Sequence, residues 1–91
     1  MNKTELISAL AERTQITKAG SKIVLEELLE IITEEVVKGE KVQITGFGTF
    51  EAREAREING INQFTGEKMH VPARMVPKFR AGSEFKKALK R

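Results

Sequence analysis

The chain has 91 residues, 40% of them hydrophobic and 32% charged, with a net charge of +3 at pH 7; that length suits one small domain with a thin core, because so short a chain buries only about 60–65% of its unfolded surface. With no cysteine and one histidine, disulfides, thiolate metal sites and imidazole clusters are excluded as staples, which leaves association with another chain as the stabilising device. No apolar run approaches the roughly 18 residues of a membrane span, and the polar opening Met1-Asn2-Lys3-Thr4-Glu5 does not read as a signal peptide, so a reducing cytoplasm is the expected setting.

Asn2 stands three residues before Glu5, a variant of the capping box, and Leu6, Ile7, Leu10 and Ala11 follow on one stripe. A short amphipathic helix from Asn2 to Arg13 is predicted. Thr17 caps a second helix that ends at Gly39, the residue type that most readily turns left-handed past a helix end. Its apolar residues, among them Ile23, Val24, Leu28, Leu29, Ile31, Ile32, Val36 and Val37, cover an arc too broad for one small domain to hide. Such a helix packs both on its own domain and on a partner subunit. Gly20 weakens its first turn by about 1 kcal/mol relative to alanine.

After Gly39 the apolar period falls from 3.6 to 2: Val42 and Ile44 alternate with Lys41, Gln43 and Thr45, as in a strand. Gly46-Phe47-Gly48 makes a tight turn. Glu51 to Glu57, rich in Ala, Arg and Glu, also suits a helix, but the turn pairs Asn59-Gly60 and Thr65-Gly66 favour a strand, with turns bracketing Ile61 to Phe64. Lys68 to Val76 returns as a second strand, confined to an edge by Pro72 and Pro77. Between about residues 52 and 74 this ribbon has too few large apolar side chains for a core and is expected to be mobile. Ser83 to Arg91 forms a last short helix with Phe85, Ala88 and Leu89 inward.

Charge is unevenly spread. Residues 1–50 hold six basic residues against eight glutamates, a net −2, whereas residues 51–91 hold ten against five, a net +5. A cationic C-terminal half wants a polyanion, and the lack of Trp and Tyr argues for nucleic acid over an anionic membrane. His70 has no second metal ligand at a useful spacing, Gly46-Phe47-Gly48 lacks the third glycine of a phosphate loop, and the glutamates of the second helix read as a solvated face. No nucleophile stands with a base, so no catalytic residue, cofactor or metal is expected.

The chain resembles, along its whole length, the bacterial histone-like HU/IHF proteins. The resemblance is carried by Gly46-Phe47-Gly48-Thr49-Phe50, Asn62, Thr65-Gly66-Glu67, Pro72-Ala73, Val76-Pro77, Phe79 and Ala81-Gly82, with Met1 to Ile7 and Lys38 to Val42 in agreement. It implies a single α+β domain over residues 1–91: two N-terminal helices, a small antiparallel sheet, a long β-ribbon arm over about 52–74 and a short C-terminal helix. It further implies an intertwined homodimer whose arms embrace the minor groove of double-stranded DNA, bending and compacting it in a bacterial nucleoid or a phage-infected cell. In the family, a proline near each arm tip wedges between base pairs. Here Gln63 stands in that place within Ile61-Asn62-Gln63-Phe64-Thr65-Gly66, and no basic residue lies between Arg56 and Lys68. Glutamine is a poor wedge, so Phe64 or Ile61 takes that role.

The expected DNA contacts are Arg53, Arg56, Ile61, Asn62, Gln63, Phe64, Thr65, Lys68, Arg74, Lys78, Arg80, Lys86 and Lys87; the expected dimer core is Leu29, Ile32, Val36, Phe47, Phe50 and Phe79. With no helix presenting base-edge readers, recognition is by shape and phosphate rather than sequence. The alternative function is a scaffold of the same fold whose apolar arm tip holds another protein.

Overall fold

The computed structural model describes residues 1–90, with Val71 described through its backbone alone. Its order is α1 (Lys3–Thr14), α2 (Lys18–Val37), β1 (Val42–Ile44), β2 (Gly48–Ala55), β3 (Ile58–Ile61), β4 (Lys68–Val71), β5 (Arg74–Ala81) and α3 (Ser83–Leu89). The chain divides into two compact units, Met1–Glu34 and Glu35–Arg91.

In the first unit the predicted caps are present. The Asn2 side chain accepts from the Glu5 amide at 2.9 Å, and Thr17 Oγ1 accepts from the Gly20 amide at 3.0 Å. Gly20 serves this second cap: a Cβ there would sit 3.2 Å from Thr17 Oγ1, so the residue that weakens the turn also leaves room for its hydroxyl cap. Lys3 and Lys22 both reach Glu26, at 3.9 and 3.8 Å. The buried residues are Ala11 and Ser21. Leu6, Ile23, Val24, Leu28, Leu29 and Ile31 are exposed, so the arc on α2 is bare in the single chain.

In the second unit, α2 ends as predicted before Gly39, whose φ is 88°. Three strands lie in the order β1-β2-β5, both pairings antiparallel. Phe50 stands opposite Phe79, and Gly48 opposite Ala81. Gly48 is the residue that lets this pairing close, since a Cβ there would overlap the Phe79 ring and come within 2.7 Å of the Arg80 carbonyl oxygen. Phe47, Phe50, Phe79 and Phe85 gather into one cluster, with ring centroids 4.8 Å apart for Phe50–Phe79 and 5.0 Å for Phe47–Phe85. The β1–β2 turn anchors α3: the Phe47 carbonyl accepts from the Gly82 amide at 2.7 Å, and the Gly46 carbonyl from the Phe85 amide at 3.1 Å. Phe47 and Phe79 remain 45% and 38% exposed, so this cluster too is covered on one side only.

Beyond Phe50, which faces Val42, β1 no longer pairs, and the β2–β5 ladder runs on as two strands to Ala55 and Arg74. After breaks at Arg56-Glu57 and Pro72-Ala73 it resumes as the separate β3–β4 ribbon. The strand reading of residues 51–55 is borne out, and Pro77 lies in the edge strand β5, where a missing amide is tolerated. Two expectations need correction. Asn59-Gly60 is not a turn but lies inside β3, opposite His70 and Met69, because the cross-strand ladder outweighs a local turn preference. On α3, Leu89 is 77% exposed and Ala88 is exposed as well; seven residues are too short to carry a second apolar turn onto the sheet, and Phe85 alone of the three is partly covered.

The β3–β4 side chains are exposed along β3, and no third strand joins the ribbon among the described residues. Its amides are therefore expected to exchange with solvent far faster than those of α2 in the protein without DNA. Hydrogen exchange resolved by residue checks this, and protection over 58–71 equal to that of α2 contradicts it.

Candidate nucleic-acid interface

Side chains alternate across a strand, and directly paired residues of an antiparallel ladder share a face. The register therefore sorts β2 and β5 into two sides. One carries Gly48, Phe50 and Ala52 with Ala81, Phe79 and Pro77. The other carries Thr49, Glu51, Arg53 and Ala55 with Arg80, Lys78, Val76 and Arg74. Four of the expected phosphate contacts, Arg53, Arg74, Lys78 and Arg80, thus stand on one exposed face. Among the described residues, Arg53, Arg74 and Lys78 make no ion pair, whereas Arg80 Nε lies 2.8 Å from Glu51 Oε1. Lys41, next to the start of β1, meets the other oxygen of the same carboxylate at 3.5 Å. Neither Lys41 nor Glu51 was expected at this interface. Both were legible in principle, since a hairpin closing at Gly46-Phe47 that sets Val42 opposite Phe50 sets Lys41 opposite Glu51.

Further out, Arg56 occupies the break between β2 and β3, and Lys68 pairs with Ile61 at the outer end of the ribbon. His70 Nδ1 lies 2.9 Å from Asn59 Oδ1 and 3.3 Å from Glu57 Oε1. Among the described residues no group of three potential ligands gathers as a metal site.

The tip is a tight loop built by Asn62. Its backbone closes the ribbon, the amide donating to the Glu67 carbonyl and the carbonyl accepting from the Gly66 amide, each at 2.7 Å. Its side-chain oxygen accepts from the Phe64 amide at 2.8 Å and the Thr65 amide at 3.3 Å, as in an Asx turn. Thr65 Oγ1 accepts from the Glu67 amide at 3.3 Å, and Gly66 takes φ 75°. Asn62 and Thr65, expected as DNA contacts, are thus engaged in shaping the loop. The loop holds Gln63 and Phe64 outward; Phe64 is 100% exposed and Ile61 66%. Lys86 and Lys87 are exposed on α3, with Lys87 4.0 Å from Glu84.

A small antiparallel sheet whose strands lead on into a two-stranded ribbon arm is the arrangement that the resemblance implies. Residues 1–90 match the family described as bacterial DNA-binding protein. The chain belongs to that family. The DNA-binding protein HU of Clostridium pasteurianum is 49% identical over 86 residues, covering 94% of each chain. That of Geobacillus stearothermophilus is 46% identical over 90 residues, 99% of this chain and 100% of the relative. In structure, the chain is similar to HU from Anabaena in its cocrystal with DNA, with a TM-score of 0.92 at 46% identity, over 99% of this chain and 98% of that one. The α+β fold with its β-arm is therefore that of the family.

Proposed function

We propose that the protein is a homodimeric, non-enzymatic DNA-architectural protein of the bacterial nucleoid. It binds double-stranded DNA through the minor groove with low sequence specificity, bending and compacting it. The observation that carries this reading is the cationic β2–β5 face leading to a ribbon whose apex is a fully exposed phenylalanine. The full-length similarity to an HU chain crystallised with DNA supports the partner. Arg53, Arg74, Lys78 and Arg80, with Arg56, Lys68, Lys86 and Lys87, take phosphates. Asn62, Gln63 and Thr65 present the tip, and Phe64, with Ile61 beside it, enters a base step. The bare apolar arc of α2 and the half-covered phenylalanine cluster support a second copy as the stabilising partner; Leu29, Ile32, Val36, Phe47, Phe50 and Phe79 form its core.

Gel shifts with linear, nicked and pre-bent duplexes at two salt concentrations test the reading, with the tightest binding expected on distorted DNA. Counterion release lowers log affinity by about 0.9 per phosphate neutralised for each unit of log salt. A tip without cations neutralises few phosphates, so a shallow slope is expected. Ile61→Arg or Asn59→Lys is expected to tighten binding at low salt and to steepen the slope by up to about 0.9 per arm. Titrations of each variant over several salt concentrations read this directly. If neither gains affinity at low salt, the arm ends do not lie near phosphates.

A further inference from the structure

Glu51 is the only acidic residue on the cationic face of β2 and β5; the other acid of this ladder, Glu54, lies on the opposite face beside Met75. Cations surround it. Lys78 is its direct partner across the ladder, Arg80 Nε lies at 2.8 Å and Lys41 Nζ at 3.5 Å. Burial is unequal: the Glu51 side chain is 14% exposed, those of Lys41 and Arg80 64% and 55%. A carboxylate so covered depends on its counter-charges. The cations keep much of their surface in water, and each is able to exchange one anionic partner for another.

We infer that Glu51 is a built-in counter-anion of the DNA-binding face, competing with backbone phosphates for Lys41 and Arg80. The inference rests on the DNA-binding reading above and adds an internal competitor to it. Without DNA, one carboxylate relieves the repulsion among Lys41, Lys78 and Arg80 that the register crowds together. When DNA arrives, a phosphate at Arg80 or Lys41 exchanges with an existing partner instead of meeting a bare cation. These two residues accordingly contribute less to affinity and to its salt dependence than Arg74 or Lys78. Glu51 thus sets the strength of the sequence-independent attraction without touching a base.

The test is fluorescence anisotropy of a labelled duplex titrated with the dimer over a series of salt concentrations. Freeing two cations per chain is expected to steepen the slope of log affinity against log salt for Glu51→Gln by about 1 to 2 per chain, and to tighten binding roughly tenfold at the lowest salt. Glu54→Gln makes the same change in net charge on the opposite face and is expected to move the slope by less than half as much. In an Arg80→Gln background the gain from Glu51→Gln should shrink, because one of the two released cations is gone. An unchanged slope for Glu51→Gln, or an equal response from Glu54→Gln, overturns the inference. Should Glu51→Gln fail to fold, Arg80→Gln against Arg74→Gln decides it: Arg80→Gln is expected to lose less affinity, and an equal or larger loss overturns the idea. Wild-type protein that binds no duplex at any salt concentration removes the DNA-binding reading itself; wild-type binding with an unmoved Glu51→Gln slope removes this inference alone.

Discussion

Leu29→Asp is expected to abolish the folded protein at micromolar concentration, and the wild-type protein is expected to melt at a temperature that rises with its concentration. The single chain has little to hold it: among the described residues only Ala11, Ser21 and Gly48 are buried, while Val24, Leu28, Leu29 and Ile31 on α2 are each about half exposed. A second copy laid on that arc removes this apolar surface from water, at about 25 cal/mol for each Å². Folding and association then become one process, in which stability depends on protein concentration. An aspartate at this position has no cation one helical turn away, where Leu25, Glu26, Ile32 and Thr33 stand; burying it costs several kcal/mol, a large part of the roughly 5–15 kcal/mol that holds a typical domain. Glu27→Gln, on the solvated face of the same helix, is the matched control and should melt as wild type does. Sedimentation together with melting at several concentrations reads both effects. A folded Leu29→Asp monomer, or a wild-type melting temperature indifferent to concentration, contradicts the dimeric design.

The helices were legible because their signals are local. Asn2, Thr17 and Gly39 fix three ends through a side-chain oxygen or a left-handed φ, and the structure uses each of them. The surplus of apolar positions on α2 was equally plain, since counting residues on an arc requires no tertiary knowledge. Asn59-Gly60 misled for the complementary reason: the pair has strong turn chemistry, but Thr65-Gly66 closes the loop instead, and the ladder then draws Asn59 and Gly60 into β3. Leu89 depended on where a seven-residue helix stops, which apolar spacing does not reveal. At the interface, the cationic bias of the C-terminal half was readable as composition. The sharing of Glu51 between Lys41 and Arg80 emerges only once the hairpin register and the β2–β5 pairing place three distant positions together. Phe64 was legible from its polar neighbours alone, because a phenylalanine between Gln63 and Thr65 at a ribbon end has no core within reach.

That exposure makes Phe64→Ala the variant with the largest expected effect on DNA. A side chain that is 100% exposed contributes little packing to the fold, so its removal should leave melting unchanged and act on the complex alone. The Asn62 side chain holds the backbone of the loop through the Phe64 and Thr65 amides, and Phe64→Ala leaves both of those hydrogen bonds in place. What the variant loses is an apolar wedge of the kind that unstacks a base step and kinks the duplex, which glutamine at position 63 replaces poorly because its amide would lack partners between bases. Bending is therefore expected to fall sharply and the preference for distorted DNA with it, while phosphate contacts from the β2–β5 face retain most of the non-specific affinity. Ile61→Ala belongs beside it as a separate variant, since Ile61 is 66% exposed one strand position from Asn62 but is paired with Lys68 rather than held at the apex. Energy transfer between dyes at the two duplex ends measures the bend, and loss of the bend with Phe64→Ala but not with Ile61→Ala assigns the wedge to the apex. If neither substitution lengthens the end-to-end distance and affinity also stands, the tip does not enter a base step, and its apolar side chains belong to a contact with another protein.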